Sequence, residues 1–381
     1  MIGNLLTYNI IQTSLLIILI ICGYSISTSQ KKSNIQISIA IVIILFSLIE
    51  GLRWDRGPDY FNNYLMLTSS TSGIVKEEPL FLAIITILRD ILHMPYWGGF
   101  IFYSFLYIYS FILVVKKFPK AAVWALPVMF LTTVSAHENL VRQFIGISFL
   151  FFAYNFYIKR QKGLTVLCLI CVFNVHTSGL FALACFALIA ITKPDLYIKK
   201  PIYLVLVYLA FYFLWDVSYL ANYTSYLENL DLGGVGAENM QGYVDNAERW
   251  FTEEGSISKL NDSKTQASTI SMAIELIRNC TIIYFGLLAV RIDKRLRIPY
   301  WFCYLAILIF IIGGDIELIR RLGWWLYCFT PIIIGAIWNT APMNKKLKTS
   351  LSAFLVVTYA YAYIMGLSKI PFSGFAYIWD L

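Results

Sequence analysis

Charge is scarce in this sequence. Asp, Glu, Lys and Arg together make up 14% of its 381 residues, against about 25% in soluble domains. Histidine is scarcer, with 3 residues in the whole chain. No Asp-x-Asp pair and no dinucleotide-type Gly-x-Gly-x-x-Gly loop occurs. Those absences leave an ordinary soluble enzyme, a histidine-cluster metal centre and a Rossmann-type cofactor site without support. The 7 cysteines offer no disulfide framework, because every one falls inside an apolar run. Cys168-x-x-Cys171 has redox or zinc spacing, but it lacks polar ligands nearby and reads as two small core residues.

What the chain has in abundance is apolar side chains, 59% of residues, with a mean hydropathy of +0.69. A membrane-spanning helix needs about 17–25 mostly apolar residues. Candidate spans are 5–26, 35–50, 97–115, 121–135, 143–158, 163–177, 178–192, 201–216, 270–290, 298–315, 322–339 and 349–367. The fold class expected is therefore all-α, a polytopic bundle of about 12 transmembrane helices (range 11–14). The whole chain, 1–381, forms a single transmembrane domain in this reading. Residues 163–192 break at Asn174–Gly179, which predicts a tight turn between two short helices. Segment 79–93 starts apolar and then meets Arg89, Asp90 and His93, so it is expected to be re-entrant or interfacial. The first apolar run lacks a basic flank before it and reads as an anchor, not a cleaved signal.

Basic residues gather at Lys31/Lys32, Lys116/Lys117/Lys120, Lys159/Arg160/Lys162, Lys193/Lys199/Lys200, Arg291/Lys294/Arg295/Arg297 and Lys345/Lys346/Lys348. If 79–93 does not cross, all six loops lie on one side, which the positive-inside rule makes cytoplasmic. Both termini are then outside. These loops hold 18 of the 30 basic residues and 2 of the 22 acids, Asp195 and Asp293. The +8 net charge is thus +16 inside and −8 elsewhere, and nucleic acid is not a partner. External loops 51–96 and 217–268 are expected to cap the outer face. The second carries Glu228, Asp231, Glu238, Asp245, Glu248, Glu253 and Glu254, and its Gly233–Gly236 run signals a turn.

Charges at the membrane edge outside the basic loops are costly to place, and so are functional candidates. Arg53, Asp55, Arg56, Asp59, Tyr60 and Tyr64 follow the second span around a Gly-Pro turn, with Glu77 and Glu78 later in the same loop. Arg142 and Gln143 open the fifth span, where a helix N-terminus favours anions. His176, Thr177 and Ser178 occupy the turn of the short pair. Asp315, Glu317, Arg320 and Arg321 lie between the tenth and eleventh spans. Glu275 and Arg278 read as an intrahelical pair or as part of the same face. The basic loops are mostly Lys, 14 against 4 Arg, whereas the edge candidates are mostly Arg. Arg fits bidentate recognition of a phosphate or diphosphate better than Lys does.

Arg53-x-x-x-Gly57-x-Asp59-Tyr60-x-x-x-Tyr64, Glu78-Pro79-x-Phe81, Leu140-x-Arg142-Gln143 and Phe173-x-x-His176-x-Ser178, in that order, resemble the EpsG family of Wzy-like bacterial polysaccharide polymerases. Pro58 stands where that family often has Thr, and Gly146 where Ala is common, which bears on sugar specificity and not on fold. The resemblance implies a glycosyltransferase that polymerises undecaprenyl-diphosphate-linked repeat units at the outer face of the bacterial cytoplasmic membrane. It implies no metal and no cofactor. Its partners would be those lipid-linked glycans, membrane lipids and a candidate chain-length regulator; the product is O-antigen, capsule or exopolysaccharide. Arg142 and Arg321 are assigned to the diphosphate, with Arg53 and Arg320 in support. Arg56, Tyr60, Tyr64, Gln143 and Arg278 are assigned to the rest of the substrate. Asp59 is the favoured base, with His176 and Glu78 as rivals. The alternatives are a lipid-linked oligosaccharide flippase, an O-antigen ligase-type transferase and a scaffold of an export complex. A flippase would show polar residues along a transmembrane path, whereas these gather at one edge.

Overall fold

A computed structural model describes residues 5–57, 59–69, 78–216, 269–314, 316–340, 343–367 and 376–380. The loop 217–268, with its acidic residues and Gly233–Gly236, lies outside the described residues, as do Pro58, Glu77 and Asp315. Those described are helical apart from short connections and one isolated antiparallel bridge, Arg53 to Tyr377. The helices are α1 Leu5–Thr28, α2 Lys32–Gly51, α3 Tyr60–Thr68, α4 Pro79–Thr86, α5 Tyr96–Val115, α6 Ala122–Asn139, α7 Val141–Ile158, α8 Lys162–Val175, α9 Gly179–Thr192, α10 Pro201–Leu214, α11 Thr269–Ile292, α12 Arg297–Gly313, α13 Glu317–Tyr327, α14 Thr330–Thr340 and α15 Lys345–Leu367.

Ten stretches are long and apolar enough to cross a membrane, and α8 and α10 are shorter apolar helices. They coincide with the twelve spans expected from the sequence. The outward side chains confirm the medium: Leu6, Ile10, Ile21, Ile44 and Val357 are large, apolar and exposed, which lipid tolerates and water does not. The expected span 322–339 is two helices, α13 and α14, broken at Cys328 and Phe329, with Pro331 near the start of the second, where its missing N–H costs nothing. As expected, 163–192 divides at His176–Ser178. Segment 79–93 holds α4 and a π turn at Ile87–Ile91. Thirteen helical residues reach about 20 Å, short of a roughly 30 Å hydrocarbon core. The external loop expected after α2 contains the short helix α3. Arg89 caps the end of α3 by donating to the carbonyls of Met66 at 2.9 Å and Ser69 at 2.8 Å.

The chain divides into two compact units, 1–184 with 330–381, and 185–329. In the first, α1 packs on α2 and α6, α2 on α5, α5 on α7, α7 on α8, α4 on α8, and α14 and α15 on α6. The Lys120 carbonyl accepts from Ser27 Oγ at 3.3 Å and Asn339 Nδ2 at 2.8 Å, which gathers basic connections at one end of this unit. The connections α2–α3, α6–α7 and α8–α9 lie at the opposite end, joined by bonds described below.

In the second unit, α11 packs on α10 and α12, and α12 on α13. Here Asp195, its side chain fully buried, accepts from Arg297 Nε and from Arg297 Nη2 at 3.1 Å, with Lys294 Nζ at 3.4 Å. This clasp ties the α9–α10 connection to the α11–α12 connection. Asp195→Ala is expected to cost about 2 kcal/mol, since charged hydrogen bonds are lost while both cations retain partial access to solvent. A lowered unfolding temperature in detergent, with no change at an exposed control such as Lys346→Ala, checks it.

Candidate active site

Two polar layers occupy the end of the first unit opposite its basic connections. The inner layer is buried. Arg53 and Arg56 are each 1% exposed. Arg56 Nη1 pairs with Glu138 Oε1 at 2.5 Å, and its Nη2 donates to the Ala376 carbonyl at 3.4 Å. Its guanidinium lies between the rings of Tyr8 and Tyr377, 4.7 and 4.8 Å from their centroids, a cation–π sandwich. Arg53 donates to the Glu50 carbonyl and, at 3.4 Å, to the Glu138 carbonyl, beside the Phe100 ring. Gln12 Nε2 donates to Glu50 Oε1 at 3.0 Å and to the Tyr377 hydroxyl at 3.2 Å.

Burial disfavours a guanidinium charge. At Arg56 burial is the largest single influence, but Glu138, Tyr377, Tyr8 and Glu50 together outweigh it, and the pKa rises above the ordinary arginine value. At Arg53 burial prevails against Glu138 and Glu50, and the pKa falls. The segment 376–380 is stitched to the same layer. Trp54 N donates to the Ala376 carbonyl and Ile378 N to the Leu52 carbonyl, both at 3.0 Å. Gly57 passes so close to α6 that a Cβ would lie 2.9 Å from the Glu138 carbonyl oxygen. Its φ of +91° also suits glycine alone.

The outer layer joins three connections. Glu78, next to the N-terminal proline of α4, accepts from Thr177 N at 3.1 Å and Thr177 Oγ1 at 3.4 Å. His176 Nδ1 lies 3.5 Å from Glu78 Oε1 and 3.3 Å from Ser178 Oγ. Arg142 Nη1 lies 3.7 Å from Glu78 Oε2, an ion-pair distance longer than a hydrogen bond. The Arg142 guanidinium is over Phe81, 5.8 Å from its centroid, and 30% of the side chain is exposed. Local structure explains the meeting. The backbone turns sharply at Leu140, where α6 ends and α7 begins, and at extended His176, where α8 ends. Because α4 and α7 both pack on α8, the first residues of α4 and α7 meet the α8–α9 turn.

The structure therefore brings Glu78, Arg142 and His176 together, with Gln143 buried beside them in sequence. Three other candidates, Arg53, Arg56 and Tyr60, are buried. Arg53 and Arg56, expected on the diphosphate and the rest of the substrate, have their Nη groups bonded inside the protein, while each Nε is buried without a hydrogen-bond partner. Tyr60 is 0% exposed and stacks on Phe100 at 4.8 Å, while its hydroxyl donates to the Arg53 carbonyl at 3.2 Å, so it cannot stack on a sugar. Asp59 is half-buried at the start of α3, and no hydrogen bond or ion pair among the described residues joins its carboxylate to Glu78, Arg142 or His176. Tyr64 is half-buried. Arg278 on α11 and Arg320 and Arg321 on α13 belong to the second unit and are half-buried there. Glu275 is exposed and makes no ion pair with Arg278. Sequence reasoning missed Gln12, Glu50, Glu138 and Tyr377; for Glu50, a carboxylate at the end of an apolar span was the available signal.

The EpsG family matches residues 36–378, nearly the whole chain. The chain belongs to the EpsG family. This is a family of Wzy-like bacterial polysaccharide polymerases, so the protein is a multi-pass membrane protein of the polysaccharide-polymerase type of glycosyltransferase. No curated protein and no solved structure matches the chain. The four motifs that carried the resemblance divide between the layers. Arg53 to Tyr64 builds the inner layer and α3, whereas Glu78, Arg142 and His176 build the outer one.

Proposed function

We propose that this EpsG-family chain polymerises oligosaccharide repeat units carried on a polyprenyl diphosphate, using the outer layer as its reaction site. The observation that supports this reading is the meeting of one Arg, one carboxylate and one His from three separate motifs at a single, partly exposed spot. In the proposed step, a hydroxyl of one lipid-linked unit attacks the anomeric carbon of the glycan on another. The new C–O bond forms as the bond from that carbon to the diphosphate oxygen breaks. His176 accepts the hydroxyl proton, and Glu78, held by the Thr177 N–H, orients the imidazole and offsets its positive charge. Arg142 faces the diphosphate and stabilises the charge that grows on it, a role that needs no metal. The Lys-rich connections at the opposite end of the first unit support a cytoplasmic placement for that end. The reaction site would then face the outer leaflet of the cytoplasmic membrane.

Deleting the gene and analysing lipid-linked glycans tests the reading. Single repeat units accumulating in the outer leaflet are expected. Units trapped in the inner leaflet would mark a flippase, and full-length polymer left on the lipid would mark a ligase. Within the site, His176→Ala is expected to lower kcat about 100-fold with little change in KM for the lipid-linked unit. An equal rise in KM at unchanged kcat would remove His176 from proton transfer.

A further inference from the structure

Beside the reaction site lies a group of rings whose arrangement the proposed chemistry does not use. Trp54 contacts Phe61 at 6.1 Å, Tyr64 at 5.8 Å and Tyr96 at 5.8 Å between centroids, with interplanar angles of 86°, 80° and 66°. Tyr64 and Tyr96 meet at 4.8 Å. Phe61 is 47% exposed, and Trp54, Tyr64 and Tyr96 are half-buried. Phe61 touches the Tyr60 ring, and Trp54, Tyr64 and Tyr96 rest on the apolar cluster that contains Tyr60, Phe81, Phe100, Val141 and Val175. Of these, Val141 and Val175 immediately precede Arg142 and His176, and Phe81 lies under Arg142. One rigid base therefore supports both the rings and the proposed reaction site.

Two polar groups adjoin the rings. Asp55 and Asp59 are half-buried, and among the described residues neither carboxylate makes a hydrogen bond or an ion pair. Asp55, Tyr64 and Tyr96 all lie within electrostatic reach of the Tyr60 hydroxyl, whose pKa burial pushes up. Asp55 is held in the left-handed region at φ 48°, a conformation that costs an L-residue energy. An interfacial belt of rings needs neither a strained aspartate nor half-buried, unengaged carboxylates. A pyranose ring uses both kinds of surface, presenting C–H groups from its faces and hydroxyl donors from its edge.

We infer that Trp54, Phe61, Tyr64 and Tyr96, with the carboxylates of Asp55 and Asp59, form a glycan subsite that seats a pyranose of the lipid-linked substrate next to Arg142 and His176. This rests on the reading of the reaction site given above. Asp59 then accepts a sugar hydroxyl rather than a transferred proton, and Tyr64 keeps the ring-stacking role expected of it.

Two probes separate the subsite from the reaction site. One is the repeat-unit oligosaccharide released by mild acid from the lipid-linked pool of a deletion strain; the other is undecaprenyl diphosphate without sugar. Binding of each to the full chain in nanodiscs is measured for the unaltered protein, Phe61→Ala, Tyr64→Leu, Arg142→Ala and the exposed control Leu65→Ala. Phe61→Ala and Tyr64→Leu are each expected to weaken oligosaccharide binding about tenfold and to leave undecaprenyl diphosphate binding unchanged. Unchanged oligosaccharide binding in both ring variants would overturn the subsite, as would loss of binding to both probes in equal measure, the signature of a disturbed membrane belt. If Arg142→Ala leaves undecaprenyl diphosphate binding intact, the reaction-site reading fails while the subsite stands or falls on the oligosaccharide alone.

Discussion

Replacing Arg142 with Ala is expected to lower polymer formation about 10²–10³-fold, the usual loss when a preorganised donor to a developing anion is removed. Lipid-linked single repeat units should build up in its place. The expectation follows from position. Arg142 is the second residue of α7, at a helix end that already favours anions. Its guanidinium stays partly exposed between Glu78 and the Phe81 ring. Glu78 lies 3.7 Å from Nη1, near enough to orient the guanidinium toward an arriving anion. Arg142→Lys retains charge but not the fork, and is expected to recover part of the loss. Rates from purified protein, normalised to the amount in the membrane, check this. Full activity in Arg142→Ala would remove the diphosphate role.

The second large effect concerns stability. Arg56 and Glu138 are 2% and 4% exposed at the side chain, so each depends on the other and not on solvent to offset its charge. Arg56→Ala or Glu138→Ala is expected to cost about 3–5 kcal/mol, because a buried charge is left without its partner. Tyr8, Tyr377 and the Ala376 carbonyl were placed by the same guanidinium, so the segment 376–380 should come loose as well. Faster proteolysis there than in the unaltered protein reports that release. The double variant Arg56→Met with Glu138→Leu is expected to recover most of the stability, since a buried ion pair is often replaced at little cost by apolar groups of similar volume. A double variant as unstable as the two single ones would show that the ring contacts, not the charge pair, hold the layer.

The contrast between Arg142 and Arg56 shows what the sequence conveyed. Both stand at the edge of an apolar span, and insertion cost flags both equally. What separates them is the partner. Glu138 lies 82 residues from Arg56, and no local pattern marks it as the group that neutralises a buried cation. Tyr377 pairs with Arg53 across a still longer separation, which is why the C-terminal bridge was illegible. The spans were legible because each is a continuous apolar run long enough to meet a fixed thickness. The break between α13 and α14 escaped notice because Cys328 and Phe329 are as apolar as their neighbours, and only Pro331 hinted at a new helix. At the site, Glu78, Arg142 and His176 were visible as candidates one by one. That His176 and Glu78 lie 3.5 Å apart is a matter of α4 and α7 both packing on α8.

Elongation by the purified protein tests the central claim most directly. The full chain in nanodiscs is given lipid-linked single repeat units, with a chelator present and no nucleotide sugar. A ladder of longer glycans still attached to the lipid diphosphate, absent with His176→Ala and with Arg142→Ala, is the result expected. A ladder that forms only when a nucleotide sugar is added, or one that persists in both variants, would contradict the account.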